Sequence, residues 1–378
     1  MGYIKALLPH IIQYKAARYR LAMPGTPINL TFSVTNICQS RCKTCNIWKI
    51  YRDQPDKRHT ELNIQEIKKI FQSIGHVYIF NVSGGEPFLR QDFPEIIKLA
   101  CQYLSPGIIH IPTNAIATQK IKTQLADILT YIRANHPQVH LTVKPSLDHI
   151  GKKHDHLRGV PGNFNKVLSL FDHLKALKPD FPQLHAELGT VISRWNVMDI
   201  EEISRYITST LSPDSYRNEI AEQRSEMCNQ NDPITPNARD YDRAIRFFVS
   251  SIRSDMDKKV MFQKLTNAFR LVYYQLAIRI MKEERQVIPC YAGISNAHMT
   301  PYGDIWPCCT LGYEKSMGNL RDFGYNFHRL WNSASADQIR GEIKAGQCYC
   351  PLANQAYSNI LMDAGAMKNI FTTLFRSR

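Results

Sequence analysis

The sequence contains no run of eighteen apolar residues, so no transmembrane helix is expected. It also lacks internal repeats and low-complexity tracts, and its ordinary aromatic content of 10% argues against a fibrous or disordered chain. Acidic residues are few: 33 Asp and Glu stand against 47 Lys and Arg, which gives a net charge of +14. This excess predicts an acidic partner such as phosphate, carboxylate, nucleic acid or an anionic membrane, without choosing among them.

The first 24 residues contain no acidic residue, and no small-residue cleavage site follows an apolar stretch, so a secretory signal is not expected. Serine is also absent there, which disfavours a cleaved organelle presequence. Apolar residues recur at helical spacing, and Pro9 is expected to break or restart the helix. Two alternatives remain for this basic amphipathic segment: it packs on the domain, or it lies on an anionic membrane. The same alternatives apply to the C-terminal end with its basic residues Lys368, Arg376 and Arg378.

From residue 28 onward, strand-like and helix-like segments alternate in a chain long enough for one large α/β core plus an appendage. Five β-α units are expected, with the first helix over Glu61–Ile74, the fifth strand over Leu184–Ile192 and the helix after it over Ile200–Leu211. A weaker sixth strand lies over Ser215–Ile220. Strict alternation predicts parallel strands with right-handed crossovers, whose carboxyl ends bind ligands. Polar residues following the strands are therefore expected to meet on one face: the first cysteine loop, Gly84-Gly85-Glu86, Thr113-Asn114, Ser146, Asp148 and Asn196.

The segment Asp232–Pro236, with two prolines, ends this pattern. A largely helical stretch follows, and the last ninety or so residues are rich in glycine, aromatics and cysteine. We therefore expect an N-terminal segment over 1–27, a core over 28–230, a helical bridge over 231–286 and an auxiliary domain over 287–378.

The ten cysteines are clustered rather than scattered. Cys38, Cys42 and Cys45 supply three thiolates on one short loop, and thiolates favour zinc or iron–sulfur clusters. A structural zinc ion would need a fourth close ligand, and the nearest histidine is His59. A [4Fe–4S] cluster on three cysteines instead leaves one iron free to bind a small molecule. The spacing favours iron–sulfur over zinc but leaves zinc open.

Gly84-Gly85-Glu86-Pro87 follows the next predicted strand. Two glycines let a ligand approach the backbone closely and are expected to leave amides free to donate, while the carboxylate can accept from an ammonium group. Alone, a glycine pair before proline is typical of a turn. Because this glycine pair lies one β-α unit after a three-cysteine loop, it indicates a binding site here.

On these motifs the sequence resembles the radical S-adenosylmethionine (SAM) superfamily, from about Ile28 to beyond Asn196. The resemblance implies a partial (β/α)6 TIM-like barrel in which Cys38, Cys42 and Cys45 hold a [4Fe–4S] cluster whose open iron binds SAM. Two positions depart from the family pattern, Thr44 in place of an aromatic residue and Ala115 in place of glycine. The implied SAM-binding residues are Ser83, Gly84, Gly85, Glu86, Thr113, Asn114, Ser146, Asp148, Arg158 and Asn196.

The second cysteine cluster resembles the SPASM/twitch extension of many radical SAM enzymes, since Cys290 and Cys308 flank a hairpin strand that precedes Pro307. The resemblance implies an auxiliary [4Fe–4S] cluster held by Cys290, Cys308, Cys348 and Cys350. The alternatives are that one of the closely spaced Cys348 and Cys350 does not ligate, or that the whole cluster is a zinc knuckle. Cys309 is the spare thiol, interpreted as a buried thiol, a substitute ligand or a catalytic hydrogen-atom donor to a substrate radical.

The implied activity is reductive cleavage of SAM to a 5′-deoxyadenosyl radical, which removes a hydrogen atom from a small, anionic or lipid-linked substrate. Oxidation, epimerisation and bond formation all remain open. A flavodoxin- or ferredoxin-type electron donor is expected, in the cytoplasm or at the inner membrane surface. The alternatives are a peptide-modifying maturase, an enzyme acting on a carbohydrate, and a non-catalytic iron–sulfur or zinc scaffold. A nucleic-acid partner is not expected because no aromatic-basic RNA motif occurs.

Overall fold

The computed structural model describes residues 2–256 and 261–375. Within them, nine strands form one sheet. The strands are β1 (Asn29–Ser33), β2 (Ile79–Ser83), β3 (Ile108–Thr113), β4 (His140–Pro145), β5 (Leu184–Ile192), β6 (Ser215–Ile220), β7 (Asn296–Met299), β8 (Asp304–Trp306) and β9 (Gly318–Asn319).

The strand order is β6-β5-β4-β3-β2-β1-β7-β8-β9, so the sheet has two ends and does not close on itself. Strands β1 to β6 pair in parallel with their sequence neighbours, as in the register from Asn29↔Ile79 to Ser33↔Ser83. Helices cross between them, since successive parallel strands need a long connection. The predicted partial (β/α)6 barrel is confirmed, including its sixth strand.

Strand β7 extends this sheet on the other side of β1, which the sequence did not suggest. It runs parallel to β1 with Asn29 opposite Asn296, although the two residues are far apart in the chain. Strands β8 and β9 continue the sheet in antiparallel fashion. The first strand of the cysteine-rich C-terminal part is therefore a strand of the barrel sheet itself.

The described residues also contain fourteen α-helices. They are α1 (Gly2–Arg18), α2 (Ile50–Asp53), α3 (Ile64–Ile74), α4 (Phe93–Leu99), α5 (Thr118–Asn135), α6 (Gly151–Arg158), α7 (Asn163–Leu177), α8 (Ile200–Arg205), α9 (Ala238–Asp255), α10 (Met261–Glu283), α11 (Phe327–Trp331), α12 (Ala334–Lys344), α13 (Ala353–Met362) and α14 (Ala364–Phe375). None of them is both long and apolar enough to span a bilayer.

Helix α1 runs through Pro9, so the expectation that this proline breaks the helix is wrong. The helix is held by packing rather than by local propensity, because Tyr14 and Ala17 are buried in a cluster that also contains Ile28 and Tyr291. Tertiary contacts of this kind override the loss of one backbone hydrogen bond. The interpretation that the N-terminal segment packs on the domain therefore holds for this side of the helix. Two basic residues of the C-terminal end, Arg376 and Arg378, lie outside the described residues.

Helix α3 shows how the sequence sets an element boundary. The Asn63 side chain accepts from the backbone N–H of Glu66, and the Glu66 carboxylate accepts from the backbone N–H of Asn63. This capping box starts the helix at Ile64 rather than at Glu61, where the periodicity predicts it. The Glu66 carboxylate also accepts a 2.7 Å hydrogen bond from Arg321, and this ion pair holds the pKa of Glu66 down at about 2. The contact ties α3 to the C-terminal part of the chain.

The predicted helical bridge consists of α9 and α10 with residues 257–260 between them, which lie outside the described residues. The helices pack beside the last strand of the barrel. The Tyr274 hydroxyl of α10 donates a 2.6 Å hydrogen bond to the Asn218 side chain of β6. The Phe248 ring of α9 stacks on Tyr274 at 6.1 Å between centroids. The bridge therefore covers the β6 side of the open barrel.

Candidate functional site

The first cysteine loop follows the carboxyl end of β1. Cys38, Cys42 and Cys45 all line a cavity of about 1330 Å³ that fills the barrel. The Ser40 hydroxyl lies 3.1 Å from the Cys42 Sγ, and the Asn114 amide donates to the Cys38 Sγ at 3.7 Å. The three thiols and the polar residues after β3 thus meet at one end of the barrel, as the alternating pattern predicts.

Burial controls the ionisation of Cys38 and Cys45. Desolvation, followed by the neighbouring Cys42, raises the pKa of Cys38 to about 12. Burial likewise raises the pKa of Cys45. Cys38 and Cys45 therefore become thiolates at neutral pH only against a bound cation, which is how thiolate ligands bind metals. Soft donors arranged in this way fit an iron–sulfur cluster.

The Gly84-Gly85-Glu86 loop follows β2 and packs directly against the cysteine loop. Gly84 has a φ of +104°, and a Cβ on it would lie 2.2 Å from the Thr35 carbonyl oxygen. The expectation that the amides stay free is wrong for Gly85, whose N–H donates to the Thr35 carbonyl at 2.7 Å, and for Glu86, whose N–H donates to the Ile37 carbonyl at 2.7 Å. Both glycines are needed for this close backbone approach, which fixes one loop against the other.

The Glu86 carboxylate lies inside this end of the barrel with 1% of its surface exposed. It accepts 2.7 Å and 2.9 Å hydrogen bonds from the Asn114 backbone N–H and the Thr113 hydroxyl. Burial raises the pKa of Glu86 to about 7, against the effect of these hydrogen bonds. A buried carboxylate of this kind is stabilised by a cationic ligand such as an ammonium group.

Arg158 and Ser146 line the cavity, whereas Asp148 and Asn196 lie behind its wall. The Asp148 carboxylate accepts from Arg158 at 3.0 Å, and the Asn196 amide donates to the Asp148 carbonyl at 2.8 Å. The Arg158 Nε is buried without a hydrogen-bond partner among the described residues. The structure thus brings Arg158 to the cavity with its Nε–H unpaired. Asp148 orients the Arg158 guanidinium, and Asn196 in turn holds Asp148. Of the other predicted residues, Ser83, Gly84, Gly85, Glu86, Thr113 and Asn114 line the cavity as well.

The two departures from the family pattern have different consequences. Ala115 adopts a φ of +62°, the left-handed conformation that favours glycine, so the backbone here keeps the shape that the glycine of the pattern would give. Thr44 lines the cavity, and its carbonyl accepts a 2.7 Å hydrogen bond from Asn229. The backbone at Thr44 is therefore fixed, while its side chain cannot stack on a ring as an aromatic residue would.

The second cysteine cluster forms a separate site. Cys290, Cys308, Cys348 and Cys350 line one small cavity of about 40 Å³. Burial, together with the neighbouring thiols of Cys290 and Cys348, raises the pKa of Cys308 to about 12. Four partly buried thiols around one space are the donor set that a cluster or a zinc ion requires. Both members of the closely spaced pair, Cys348 and Cys350, are in place.

Cys309 points to the other side, into the barrel. It lines the large cavity, where its Sγ, a Glu226 carboxylate oxygen and a His298 ring nitrogen all lie within 4.8 Å of one another. The hydroxyls of Ser33 and Ser83 each donate a 2.9 Å hydrogen bond to the Glu226 carboxylate. Glu226 and His298 were not predicted, because they become neighbours only through the pairing of β7 with β1.

A row of charged residues on β4 to β6 also lines the cavity and was not predicted. Lys144 lies 3.5 Å from Glu219, and Arg217 lies 3.1 Å from Glu187. Gly189 makes the first pair possible, since a Cβ there would lie 2.8 Å from the Lys144 Cδ. The alternation of Ser215, Arg217 and Glu219 with Tyr216, Asn218 and Ile220 along β6 was the available signal, because alternate residues of a strand share one face.

Comparison with known proteins shows which protein families this chain matches. Residues 32–207 match the radical SAM superfamily, and residues 290–351 match SPASM, an iron–sulfur cluster-binding domain. The AdoMet-dependent heme synthase of Methanosarcina barkeri is 24% identical over 87% of this chain and 90% of that protein. AlbA, the antilisterial bacteriocin subtilosin biosynthesis protein of Bacillus subtilis, is 21% identical over 89% of this chain and 70% of that protein.

A solved structure with a similar fold is that of Streptococcus suis SuiB bound to its precursor peptide SuiA. It covers 90% of this chain and 71% of SuiB with a TM-score of 0.60 at 15% sequence identity. At this identity the likeness shows the fold alone.

Proposed function

Because this chain belongs to the radical SAM superfamily and carries a SPASM iron–sulfur domain, we propose that it is an enzyme that cleaves SAM and oxidises or rearranges a polar substrate inside the barrel. The observation that carries the proposal is the meeting of three thiols, a buried carboxylate and an unpartnered guanidinium nitrogen at one end of a large cavity. When bound, the cluster and SAM supply a radical that removes a hydrogen atom from an unactivated carbon.

The chain's own residues bind and orient these groups. Cys38, Cys42 and Cys45 would hold the first [4Fe–4S] cluster. Glu86 would accept from the ammonium group of SAM, since it is the buried carboxylate beside the loop. Arg158 offers its unpartnered Nε to a carboxylate or another acceptor, and Asp148 fixes its orientation.

The charged lining favours a polar substrate. The Glu222 Oε1 and the Arg224 Nε are buried without hydrogen-bond partners among the described residues. An acyl chain in this space would leave these groups unsatisfied, at a cost of about 1–3 kcal/mol each. The reacting part of the substrate therefore carries hydrogen-bond donors and acceptors, and a lipid-linked substrate would present its head group here.

We also propose Cys309 as a donor of a hydrogen atom to the substrate radical. Its S–H bond would break as a C–H bond forms on the substrate, and the expected flavodoxin- or ferredoxin-type donor would return one electron to the sulfur. Glu226 and His298 are close enough to return the proton. Unchanged product formation by Cys309→Ala contradicts this role.

A peptide-modifying maturase is the second candidate, favoured by the likeness to AlbA and to SuiB. A non-catalytic scaffold is the alternative of another class. Anaerobic incubation of the reconstituted protein with SAM and dithionite separates the scaffold from both enzymes. We expect 5′-deoxyadenosine, and its absence from a cluster-loaded protein contradicts the proposal. Mass spectrometry of peptide and metabolite extracts treated with the enzyme then distinguishes the two substrate classes.

The separate cavities of Cys350 and Cys309 lead to a prediction about iron content. Wild-type protein is expected to bind about eight irons per chain, as two [4Fe–4S] clusters require. Cys350→Ala should lower this to about four, because Cys350 lines the small cavity with the other three thiols. The matched variant Cys309→Ala should keep about eight, because Cys309 faces the barrel. Iron assay with Mössbauer spectroscopy makes the comparison, and equal loss in both variants would assign Cys309 to the cluster.

A further inference from the structure

The outer side of the N-terminal segment carries apolar residues that no other part of the described structure covers. Eleven large hydrophobic residues are exposed among the described residues, and five of them lie within residues 8–23. The exposed fractions are 55% for Leu8, 63% for Ile12, 62% for Tyr19, 81% for Leu21 and 65% for Met23. Such a concentration on one short segment is typical of an interaction surface rather than of scattered surface residues.

Helix α1 is apolar on two sides. Tyr14 and Ala17 face inward and are buried, whereas Leu8 and Ile12, one turn apart, face outward. After the helix ends, the chain turns at Arg20, whose φ is +60°, and presents Leu21 to solvent. A helix with apolar residues on both sides requires a second partner beyond the domain on which it packs.

The charges of this segment itself are positive. The first acidic residue of the sequence is Asp53, so residues 1–52 carry only basic charges. Arg20 is exposed beside the apolar residues, and the Lys344 ammonium of α12 lies 4.5 Å from the centroid of the Tyr19 ring. Apolar side chains surrounded by Lys and Arg match the interface of an anionic bilayer.

The surface adjoins the end of the cavity opposite the cysteine loop. Ile28, at the start of β1, lies in the same buried cluster as Tyr14 of α1 and also lines the cavity. The exposed residue His140, at the start of β4, lines the cavity too, so the cavity reaches solvent at the amino ends of the strands. A membrane against α1 would therefore lie next to this opening.

We propose that residues 8–23 dock the protein on an anionic lipid surface, with the opening at the amino ends of the strands close to the head groups. Leu21 and Met23 enter the interface together with Leu8 and Ile12, and Arg20 and Lys344 contact acidic head groups. The proposal concerns where the protein works and does not depend on the reaction proposed for its site.

Flotation with vesicles tests this proposal on the full-length, cluster-loaded protein. Wild-type protein is expected to float with vesicles of phosphatidylglycerol and phosphatidylcholine and to remain at the bottom with pure phosphatidylcholine. The double variant Leu21→Ser/Met23→Ser should bind the anionic vesicles at least about tenfold more weakly, since two apolar side chains no longer leave water. The matched control is Met198→Ser, which removes a 55% exposed side chain that follows the carboxyl end of β5; it should bind as wild type does.

Several outcomes overturn the proposal. Wild-type protein that stays at the bottom with anionic vesicles, or that floats equally with neutral ones, contradicts it. Equal binding by the double variant and wild type also contradicts it. Light scattering after size exclusion tests the other occupant, a second copy of the chain: a dimer that the double variant abolishes assigns the surface to self-association instead. The melting temperature and the 5′-deoxyadenosine formation of the double variant should both match wild type, which shows that docking was removed without unfolding the protein.

Discussion

Replacing Cys45 with alanine is expected to reduce 5′-deoxyadenosine formation to below about 1% of the wild-type rate. Loss of a residue that merely supports a metal ligand commonly lowers affinity or activity about 10- to 100-fold, so loss of a ligand should exceed that range. The loop offers no substitute, since Cys38 and Cys42 are its other two cysteines and each would already hold the cluster. Product analysis by liquid chromatography measures the rate, and iron should fall by about four per chain.

The matched control for this change is Cys228→Ala. Cys228 is an exposed free cysteine outside both cysteine clusters, so its removal should leave iron content and SAM cleavage unchanged. Substantial activity in Cys45→Ala, or an equal loss in Cys228→Ala, would contradict the assignment of the three thiols. Circular dichroism of both variants distinguishes loss of the cluster from loss of the fold.

Glu86→Gln is expected to weaken SAM binding roughly 10- to 150-fold without removing iron. Glutamine keeps the size of the side chain but removes the charge, and a hydrogen bond to a charged group contributes about 1.5–3 kcal/mol. Glutamine would also place an NH₂ group against the donors of Asn114 and Thr113, which now both face the carboxylate. Equilibrium dialysis with labelled SAM measures the affinity, and Glu95→Gln on the exposed side of α4 is the control.

The same residue predicts a pH dependence. Burial raises the pKa of Glu86 from an ordinary value of 4.5 to about 7, so a proton competes with SAM below that pH. Wild-type affinity should therefore rise as the pH increases through 7, and the Gln variant should lack this rise. The folding stability of the ligand-free protein should change with pH in the opposite direction to the SAM affinity. The protonated carboxyl stabilises the fold at low pH, and that contribution is lost as the pH rises through 7. A pH-independent affinity in wild-type protein would contradict the role of Glu86.

Local patterns were sufficient to predict the six parallel strands β1 to β6. The expected strands over Leu184–Ile192 and Ser215–Ile220 have those bounds in the structure, because each is a short run with turn signals on both sides. The helix predicted over Ile200–Leu211 is there as well, although its second half is a π-helical segment. The cysteine loop and the glycine loop meet because both follow neighbouring parallel strands, a consequence of topology that the alternation already contains.

Contacts between distant segments could not be predicted in this way. The pairing of β7 with β1 has no local signature, and the group formed by Glu226, His298 and Cys309 depends on it. The hydrogen bonds of the glycine loop also depend on which backbone lies opposite, so no motif shows that the N–H groups of Gly85 and Glu86 are occupied. Asp148 and Asn196 illustrate the same limit, because the position after a strand does not tell whether a side chain faces the cavity or the wall.

The insertion of β7 beside β1 makes the two iron–sulfur regions one cooperative folding unit. All five residues of β1 are buried, and its hydrogen-bonding groups are shared between β2 on one side and β7 on the other. A fragment ending before β7 would expose the unpaired edge of an apolar central strand, which invites intermolecular association. Neither region can therefore be expressed as a soluble module by cutting the chain between them, and oxidative damage that unfolds the C-terminal region would also destabilise the barrel.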